Sequence, residues 1–507
     1  MKHIQGNNRN QLKVLSLEEM VEPQSMVRVI DAFVDMLKLE DFGFSYFKLN
    51  KEGRPPYHPA ILMKLYLYGY QNSIRSSRKL EKACSTNIEV MWLISDQRPH
   101  FKTIANFRKD NSKAFKAVFR HFVAILKDWG LIDGKTIAID SFKTRAQNSL
   151  KNNFNARKVK RHIDYIDSKI NEYESELDKE FNQVIQDKLT HNKQKKETYQ
   201  KINQQLKDTG DGQISTTDPD ARAIVFQRNS VKVGYNIQVG SDAKNKLLVA
   251  ADTGDVNDTK ALSVMVKKVQ ENIGKLEYVL ADKGYHSGRE LKACEELGVT
   301  TFISPKESSS TKKNPAFSME AFTYDKKNDT YTCPANETLI TNGKWYNKNL
   351  SNGRKPYRVK HYKTKACTNC KLQTKCTKSI RGRYIERTEF QQYISRNNYR
   401  VNSNPNYYRK RQQIIEHQFG TLKRHWHFDY LLTKGKELVM TEVYIALSCY
   451  NLRRLTSIYH FDGLMNKIRA TYKGLNSFYF LFYKAILKLI TLFNLYSNKI
   501  PLKIATL

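Results

Sequence analysis

The order of strands and helices between residues 231 and 305 constrains the fold of this chain most strongly. "VKVGYNIQVG" and "KLLVAADTG" each have the apolar, β-branched pattern of a strand, and the turn "SDAKN" joins them. A helix from about Asp258 to Ile273, the strand "LEYVLA", the short helix "SGRELKACEELG" and the strand "VTTFISP" follow. A strand pair followed by alternating helices and strands predicts a mixed α/β sheet with flanking helices.

Two aspartates stand at the ends of apolar strands. In "GKTIAIDSFKTRA", Ile137 and Ile139 alternate with smaller residues, and Asp140 ends the strand. In "LEYVLADKGYHS", Asp282 directly follows the apolar run and precedes a glycine turn. Sites in open α/β sheets are built at strand ends, although aspartate is also common where a strand gives way to a turn. Both aspartates are therefore candidate site residues, with turn capping as the alternative.

Helical patterns precede and interrupt these strands. Residues 1–130 carry apolar residues at helical spacing, as in "HPAILMKLYLYGYQ", and predict an all-α N-terminal domain. Its interleaved basic and aromatic residues favour DNA binding, and a solvated basic face is the equal alternative. Residues 152–208 contain neither glycine nor proline and predict a helical hairpin inserted into the first part of the core, residues 131–305. Apolar residues repeat there at 3-4-3-4 spacing, which is typical of paired helices: Ile163, Ile166, Ile170, Tyr173 and Leu177.

The remaining chain divides by composition. Residues 306–404 are polar, rich in lysine and contain a group of cysteines, which predicts a second insertion. Residues 405–460 complete the core with helices from about Tyr407 to Trp426 and from about Leu438 to Tyr459, and residues 461–507 form an apolar and basic tail.

The charge balance indicates a polyanionic partner. The chain has 86 Lys and Arg against 50 Asp and Glu, a net charge of +36, which favours nucleic acid, with an anionic membrane surface as the alternative. Lys484 and Lys488 interrupt the most apolar stretch, so we expect a packing or amphipathic helix there and no membrane partner. Seven cysteines without a signal peptide are typical of a reducing compartment.

A third acid, Glu416, lies in the helical stretch "YYRKRQQIIEHQFGTLKRHW". An apolar stripe at 4-3-4 spacing predicts the buried face of this helix: Ile415, Phe419, Leu422 and Trp426. Glu416 lies about 100° around the helix from the stripe, and Arg409 and Lys423, each seven residues away, project from nearly the same face as Glu416. This face suits a phosphodiester beside a metal ion, and a solvated face of paired charges is the equal alternative.

Three acids from two strands and one helix suit metal-dependent phosphoryl transfer. Carboxylates bind Mg²⁺ through hard oxygens, and two ions about 3.5–4 Å apart stabilise the attacking and leaving oxygens of an in-line displacement. Divalent ions would also explain how acids approach a polyanion.

These motifs, taken in this order, resemble bacterial insertion-sequence transposases of the DDE superfamily, whose catalytic core has the RNase H-like fold. "IAIDSFKTRA" and "VLADKGYHS" resemble the two aspartate strands of that family, and "YYRKRQQIIEHQFGTLKRHW" resembles its glutamate helix. "RPPYHPAILMKLYLYGYQNSIRSSRKLEKAC", "STTDPDARAI" and "VGYNIQ" look like one branch with a helical N-terminal domain. The similarity covers roughly residues 10–455.

The resemblance implies that Asp140, Asp282 and Glu416 form the catalytic triad and bind two Mg²⁺ ions, for which Mn²⁺ can substitute. A related Tyr-Arg-Glu-Lys pattern, which would contact DNA, matches Tyr408, Arg411, Glu416 and Lys423. Four residues rather than three separate Arg411 from Glu416, and Gln412 occupies the expected arginine position. The helical geometry therefore suggests that Arg409 takes the role of Arg411.

Other acids have structural explanations. Asp218 and Asp220 in "TDPDAR" are the main rivals for a catalytic role, but the stretch is typical of a turn or a helix start. Asp255 and Asp258 in "TGDVNDTK" are interpreted as helix caps.

A cysteine group lies between the second aspartate and the glutamate helix. "CTNCKLQTKC" contains Cys367, Cys370 and Cys376, and Cys333 stands upstream in "YTCP". Four cysteines can bind one structural Zn²⁺ tetrahedrally, and free thiols are the equal alternative.

The sequence therefore predicts a DNA transposase that cleaves the terminal inverted repeats of an insertion sequence and transfers the strand into double-stranded target DNA. It would act as a homodimer or a higher synaptic complex, in the cytoplasm of a bacterium and associated with the nucleoid. Another RNase H-like nuclease and a non-catalytic DNA-binding regulator are the alternatives.

Overall fold

The computed structural model describes residues 10, 12, 14–47, 52, 55–226, 229–306, 315–348 and 356–497, and for residues 475–497 the backbone alone. The chain divides into two compact units. The helical unit comprises residues 1–122, 144–221 and 420–507, and the sheet unit comprises residues 123–143 and 222–419.

The first segment of the helical unit consists of short helices. Their bounds are α1 Met26–Met36, α2 Pro59–Gln71, α3 Ser77–Thr86, α4 Ile88–Leu93, α5 Phe101–Asp110 and α6 Ser112–Asp128, of which α6 runs past the unit boundary. Side-chain caps fix several starts, because Ser25, Asn87 and His100 each accept a hydrogen bond from a backbone N–H in the first turn. Helix α2 is buried along most of its length, so it lies at the centre of this segment.

A long helical pair forms the second segment. Helix α7 spans Ala156–Leu177 and α8 spans Gln183–Thr209. Ile166 and Ile170 of α7 are buried against Leu189 of α8, as the 3-4 spacing predicts. The short strands β2 (Asn153–Phe154) and β3 (Ile214–Ser215) pair antiparallel and join the two ends of this helical pair.

The last segment begins with a π-helical turn, Thr421–His425, and continues in a long helix from Lys436 to Ser497. The helix breaks at His460, where φ is +56°. It is longer than the predicted Leu438–Tyr459, and residues 498–507 of the predicted tail lie outside the described residues. Within the described part of the chain, no helix is long and apolar enough to cross a membrane.

A mixed sheet organises the other unit, as the sequence predicts. Its strands are β1 Thr136–Arg145, β4 Arg222–Val225, β5 Val231–Asp242, β6 Leu248–Gly254, β7 Tyr278–Ala281 and β8 Thr300–Ile303. The order is β4-β5-β1-β7-β8, with β6 also paired to β5. Strand β7 runs parallel to β1 and β8, whereas β5 runs antiparallel to β4 and β6. Helices α9 (Leu262–Ile273) and α10 (Gly288–Glu296) follow β6 and β7.

The cysteine-containing segment builds two small sheets. One has the order β11-β10-β9, from β9 Thr323–Asp325, β10 Thr330–Thr332 and β11 Thr338–Leu339. The other has the order β12-β13-β14, from β12 Tyr346–Lys348, β13 Tyr357–Lys363 and β14 Tyr384–Thr388. A short helix, α11 (Gln373–Cys376), lies between β13 and β14. A buried cluster holds the segment together: Phe322, Tyr331, Leu339, Tyr362 and Ile385.

Two helices then return to the large sheet. Helix α12 spans Gln391–Ser403, and α13 spans Pro405–Gly420, where the sequence predicts one helix to Trp426. Ile414 and Ile415 of α13 pack in one cluster with Ala138 of β1 and Leu280 of β7. Because Ala138 and Leu280 lie two residues before Asp140 and Asp282, this packing sets α13 beside the parts of β1 and β7 that carry the two aspartates.

Candidate active site

Asp140 and Asp282 are neighbours in the sheet. Strand β1 continues past Asp140 to Arg145, so the prediction that Asp140 ends its strand is wrong, whereas Asp282 directly follows β7. Ile139 of β1 lies opposite Ala281 of β7 in the parallel register, so Asp140 and Asp282 are the next residues on each strand. Neighbouring strands lie about 4.8 Å apart, which brings both carboxylates close together at the point where β7 ends.

Asp140 is held in a largely buried position. Its Oδ1 accepts a hydrogen bond from the Ser141 N–H at 2.7 Å, and its Oδ2 accepts one from Arg411 Nη1 at 2.9 Å. Burial raises the pKa of Asp140 to about 6, and the charges of Asp282 and Asp258 act in the same direction. The Ser141 N–H and the Arg411 guanidinium oppose that rise in pKa. A positive charge nearby would therefore favour the ionised carboxylate.

Asp282 both caps a turn and faces this site. Its side chain accepts a hydrogen bond from the Gly284 N–H at 2.7 Å and caps the 3₁₀ turn Lys283–Tyr285. A Cβ at position 284 would lie 2.8 Å from Asp282 Oδ1 and 3.3 Å from Asp258 Oδ2. The glycine after the strand therefore leaves room for two carboxylates, and the capping and site interpretations of Asp282 are compatible.

Gly284→Ala is expected to displace the Asp282 carboxylate, because the new methyl carbon would lie only 2.8 Å from its Oδ1. We expect the activity of this site to fall by about 10-fold or more, since misplacing one reacting group by about 1 Å can cost 100-fold. The thermal midpoint should change little, because a side-chain end can move at small cost. The matched control is Gly212→Ala, whose Cβ meets no atom within 4 Å. Unchanged activity of Gly284→Ala would contradict this account of the turn.

Asp258 is a further acid of this cluster, and its interpretation as a helix cap is wrong. The residue that caps the 3₁₀ turn Asp258–Lys260 is Asn257, which accepts from the Thr259 N–H. Asp258 Oδ1 instead accepts hydrogen bonds from Asn236 Nδ2 at 2.8 Å and Gln238 Nε2 at 2.6 Å.

Asp255 does not cap that turn either; its carboxylate lies 3.6 Å from Lys260 Nζ. The sequence held a signal for the Asp258 cluster. Asn236 and Gln238 are polar residues two apart in the middle of a strand, between apolar neighbours, so they share one face of the sheet. Both are buried, and the Tyr285 hydroxyl donates to Gln238 Oε1.

Arg411 connects Asp140 with the glutamate helix. Its Nη2 lies 4.0 Å from Glu416 Oε1 while its Nη1 contacts Asp140. The side chain of Arg411 is 13% exposed and that of Glu416 is 58% exposed. Arg409, which the helical spacing favoured for this role, is exposed. The cation beside the aspartates is therefore Arg411.

The other residues predicted to contact DNA occupy different environments. Tyr408 is partly buried and packs against the cluster that seats α13 on the sheet. Lys423 lies in the π-helical turn Thr421–His425 of the helical unit.

The rival acids have a structural role in the helical unit. Asp218 Oδ1 accepts from the Gly435 N–H at 3.1 Å, and Asp220 Oδ2 accepts from the Lys436 N–H at 2.7 Å. Lys436 is the first residue of the long C-terminal helix. Both aspartates therefore satisfy N–H groups at its start, where negative charge is favourable.

Comparison with protein families identifies the chain. A family model described as "Transposase domain (DUF772)" matches residues 15–110, and one described as "Transposase DDE domain" matches residues 210–452. The chain belongs to the insertion-sequence DDE transposases. No curated protein and no solved structure matches this transposase. The second match includes Asp282 and Glu416 and begins after Asp140, so the strand register is what associates Asp140 with the DDE domain.

DDE transposases generally use divalent metal ions, and the acids of this transposase suit them chemically. Asp282 and Asp258 are close enough to Asp140 for their charges to raise its pKa, and carboxylate oxygens are the ligands that Mg²⁺ prefers. As the side chains stand, no three His, Cys, Asp or Glu residues in the described part of the chain are arranged to hold an ion. Metal binding therefore requires side-chain rotation, for which the exposed Glu416 has room.

The four predicted zinc ligands of the transposase lie around one small cavity in the sheet unit. Cys333, Cys367, Cys370 and Cys376 all line it, and all four are free thiols. The other three cysteines, Cys84, Cys294 and Cys449, are buried elsewhere.

Proposed function

We propose that this transposase cleaves DNA at the terminal inverted repeats of its own element and joins the freed 3′-hydroxyl to target DNA. The observation that carries the proposal is the parallel register that makes Asp140 and Asp282 neighbours beside α13. On this proposal the large sheet is an RNase H-like core, and residues 152–208 and 306–404 are insertions in it.

Asp140, Asp282 and Glu416 would hold two Mg²⁺ ions, or Mn²⁺ in their place. When bound, the ions supply the positive charge that allows a phosphodiester to approach these acids. Before the ions bind, Arg411 would partly neutralise the charge of Asp140. Its contacts with Asp140 on β1 and with Glu416 on α13 support such a role. Tyr408, Arg409, Arg411 and Lys423 would contact the DNA backbone.

We further propose that Asp258 positions this site. Asn236 and Gln238 fix its carboxylate, and Tyr285 in turn fixes Gln238. Such outer hydrogen bonds orient the ligands of a metal and are worth about 10- to 100-fold in activity.

Asp258→Asn is therefore expected to lower the rate of DNA nicking by about 10- to 100-fold. The reason is that the amide loses the negative charge that Asp258 places beside Asp140, although its oxygen can still accept from Asn236 and Gln238. Asp255→Asn is the matched control, because the Asp255 side chain is 67% exposed. The assay is Mg²⁺-dependent nicking of a labelled transposon end. Equal rates for both variants would rule out the role proposed for Asp258.

The proposed partners follow from charge and family. DNA is the substrate of the family, and the net charge of +36 suits long contacts with phosphates. We propose a homodimer or a higher synaptic complex, because two element ends must be held together, and an association with the nucleoid in the bacterial cytoplasm.

The deciding experiment uses the DNA that flanks the coding region. The purified transposase is incubated with that DNA end, a target plasmid and Mg²⁺. We expect nicked ends and joined products. Cut ends without joined products would indicate a plain nuclease, and end binding without cutting would indicate a regulator.

A further inference from the structure

A second metal centre, separate from the carboxylates, is suggested by the cysteine-containing segment. Four cysteines from three stretches of chain line one cavity of about 30 Å³. Cys333 follows β10, Cys367 lies in the 3₁₀ helix Lys365–Asn369, and Cys376 ends α11. A cavity of this size suits a single ion or water molecule rather than an organic ligand.

Backbone geometry prepares Cys333 to be a ligand. Its Sγ accepts hydrogen bonds from the Ala335 N–H at 3.3 Å and from the Glu337 N–H at 3.4 Å. These two contacts fix the position of the sulfur, and hydrogen bonds of this kind orient the ligands of a metal. The thiolate is the form that binds metals.

The chain also passes close to Cys367. Gly382 has φ of +82°, and a Cβ there would lie 2.5 Å from Cys367 Cβ. The same Cβ would lie 3.2 Å from Cys367 Sγ, so a glycine at position 382 is what lets the chain pass close to this sulfur.

We propose that Cys333, Cys367, Cys370 and Cys376 bind one structural Zn²⁺ ion. Four thiolates select zinc among the common divalent ions, and a closed set of four ligands is typical of a structural site. The ion would connect the turn after β10 to the loop that contains α11. As the side chains stand, no group of three or more His, Cys, Asp or Glu residues in the described chain is arranged to hold a metal ion, so binding must reorient the four thiols.

The first test measures metal content in the full-length protein. We expect about one zinc ion per chain by elemental analysis after zinc reconstitution, and the spectrum of a tetrahedral thiolate site when Co²⁺ replaces zinc. Cys370→Ser combined with Cys376→Ser should lose both signals. Cys294→Ala is the control and should keep them, because Cys294 is buried in α10.

A second measurement needs no variant, and so remains informative if the double variant does not fold. In the zinc-loaded protein, the four thiols should resist alkylation until a chelator is added. Immediate alkylation of all four, absence of zinc after reconstitution, equal zinc in the double variant, or a disulfide among these cysteines under reducing conditions would each overturn the proposal. None of these outcomes depends on DNA cleavage.

Discussion

Replacing Asp282 by asparagine is expected to lower Mg²⁺-dependent DNA cleavage by at least about 10³-fold, which corresponds to about 4 kcal/mol of activation free energy. The substitution keeps the shape of the side chain and removes the charge that would hold a divalent ion beside Asp140. Binding to the transposon end should persist, because phosphate contacts come from cations elsewhere. The measurements are single-turnover nicking of a labelled end and a gel-shift assay on the same DNA.

The same strand offers a matched control. Glu277 immediately precedes β7, four residues before its last residue, Ala281, so Glu277→Gln removes one charge far from the strand end that bears Asp282. Its cleavage rate should stay within about twofold of the parent. Asp140→Asn and Glu416→Gln should match Asp282→Asn. Nicking at the parental rate by any of the three would remove that residue from the triad.

Replacing Glu442 by alanine is expected to destabilise the helical unit by about 3–5 kcal/mol, since it leaves a buried cation without its partner. Glu442 is fully buried in the long C-terminal helix. Its Oε1 accepts from the Leu432 N–H at 2.9 Å and from the N–H and hydroxyl of Thr433. Its Oε2 lies 3.6 Å from Arg75 Nη1, and Arg75 is 3% exposed.

Urea unfolding followed by circular dichroism measures this loss. Glu437→Ala is the control, because Glu437 lies in the exposed first turn of the same helix and should change stability by less than about 1 kcal/mol. Combining Glu442→Leu with Arg75→Met should be milder than Glu442→Ala alone, since no uncompensated charge remains. If the double variant were less stable than Glu442→Ala, the loss of stability could not be assigned to Arg75 left buried without its partner.

Local periodicity predicted the elements that carry the site. The alternation around Ile137 and Ile139 and the apolar run before Asp282 are properties of single strands, and both strands are present. The spacing of Ile166 and Ile170 likewise reports contact with a neighbouring helix, whichever helix that is. These patterns depend only on residues close in sequence.

Features that depend on partners distant in sequence were not predictable in the same way. A helical wheel places Arg409 and Glu416 on one face but does not say which edge of the helix meets the sheet, and it is Arg411 that reaches Asp140. Asp258 has the local pattern of a cap, yet its hydrogen-bond donors lie on β5. The pairing of Glu442 with Arg75 likewise joins two helical segments that no local pattern relates.

The small ladder between β2 and β3 has a consequence for how the chain assembles. The Thr216 N–H bonds to the Asn152 carbonyl at 2.9 Å, so the long excursion through α7 and α8 returns to where it began. Once α7 and α8 have paired, the segment between β2 and β3 behaves as a short closed loop. Local contacts have then already met the entropic cost of bringing its two ends together. Strand β1 can then pair with β5 and β7 across a much shorter effective loop than their separation in sequence, which lowers the effective contact order.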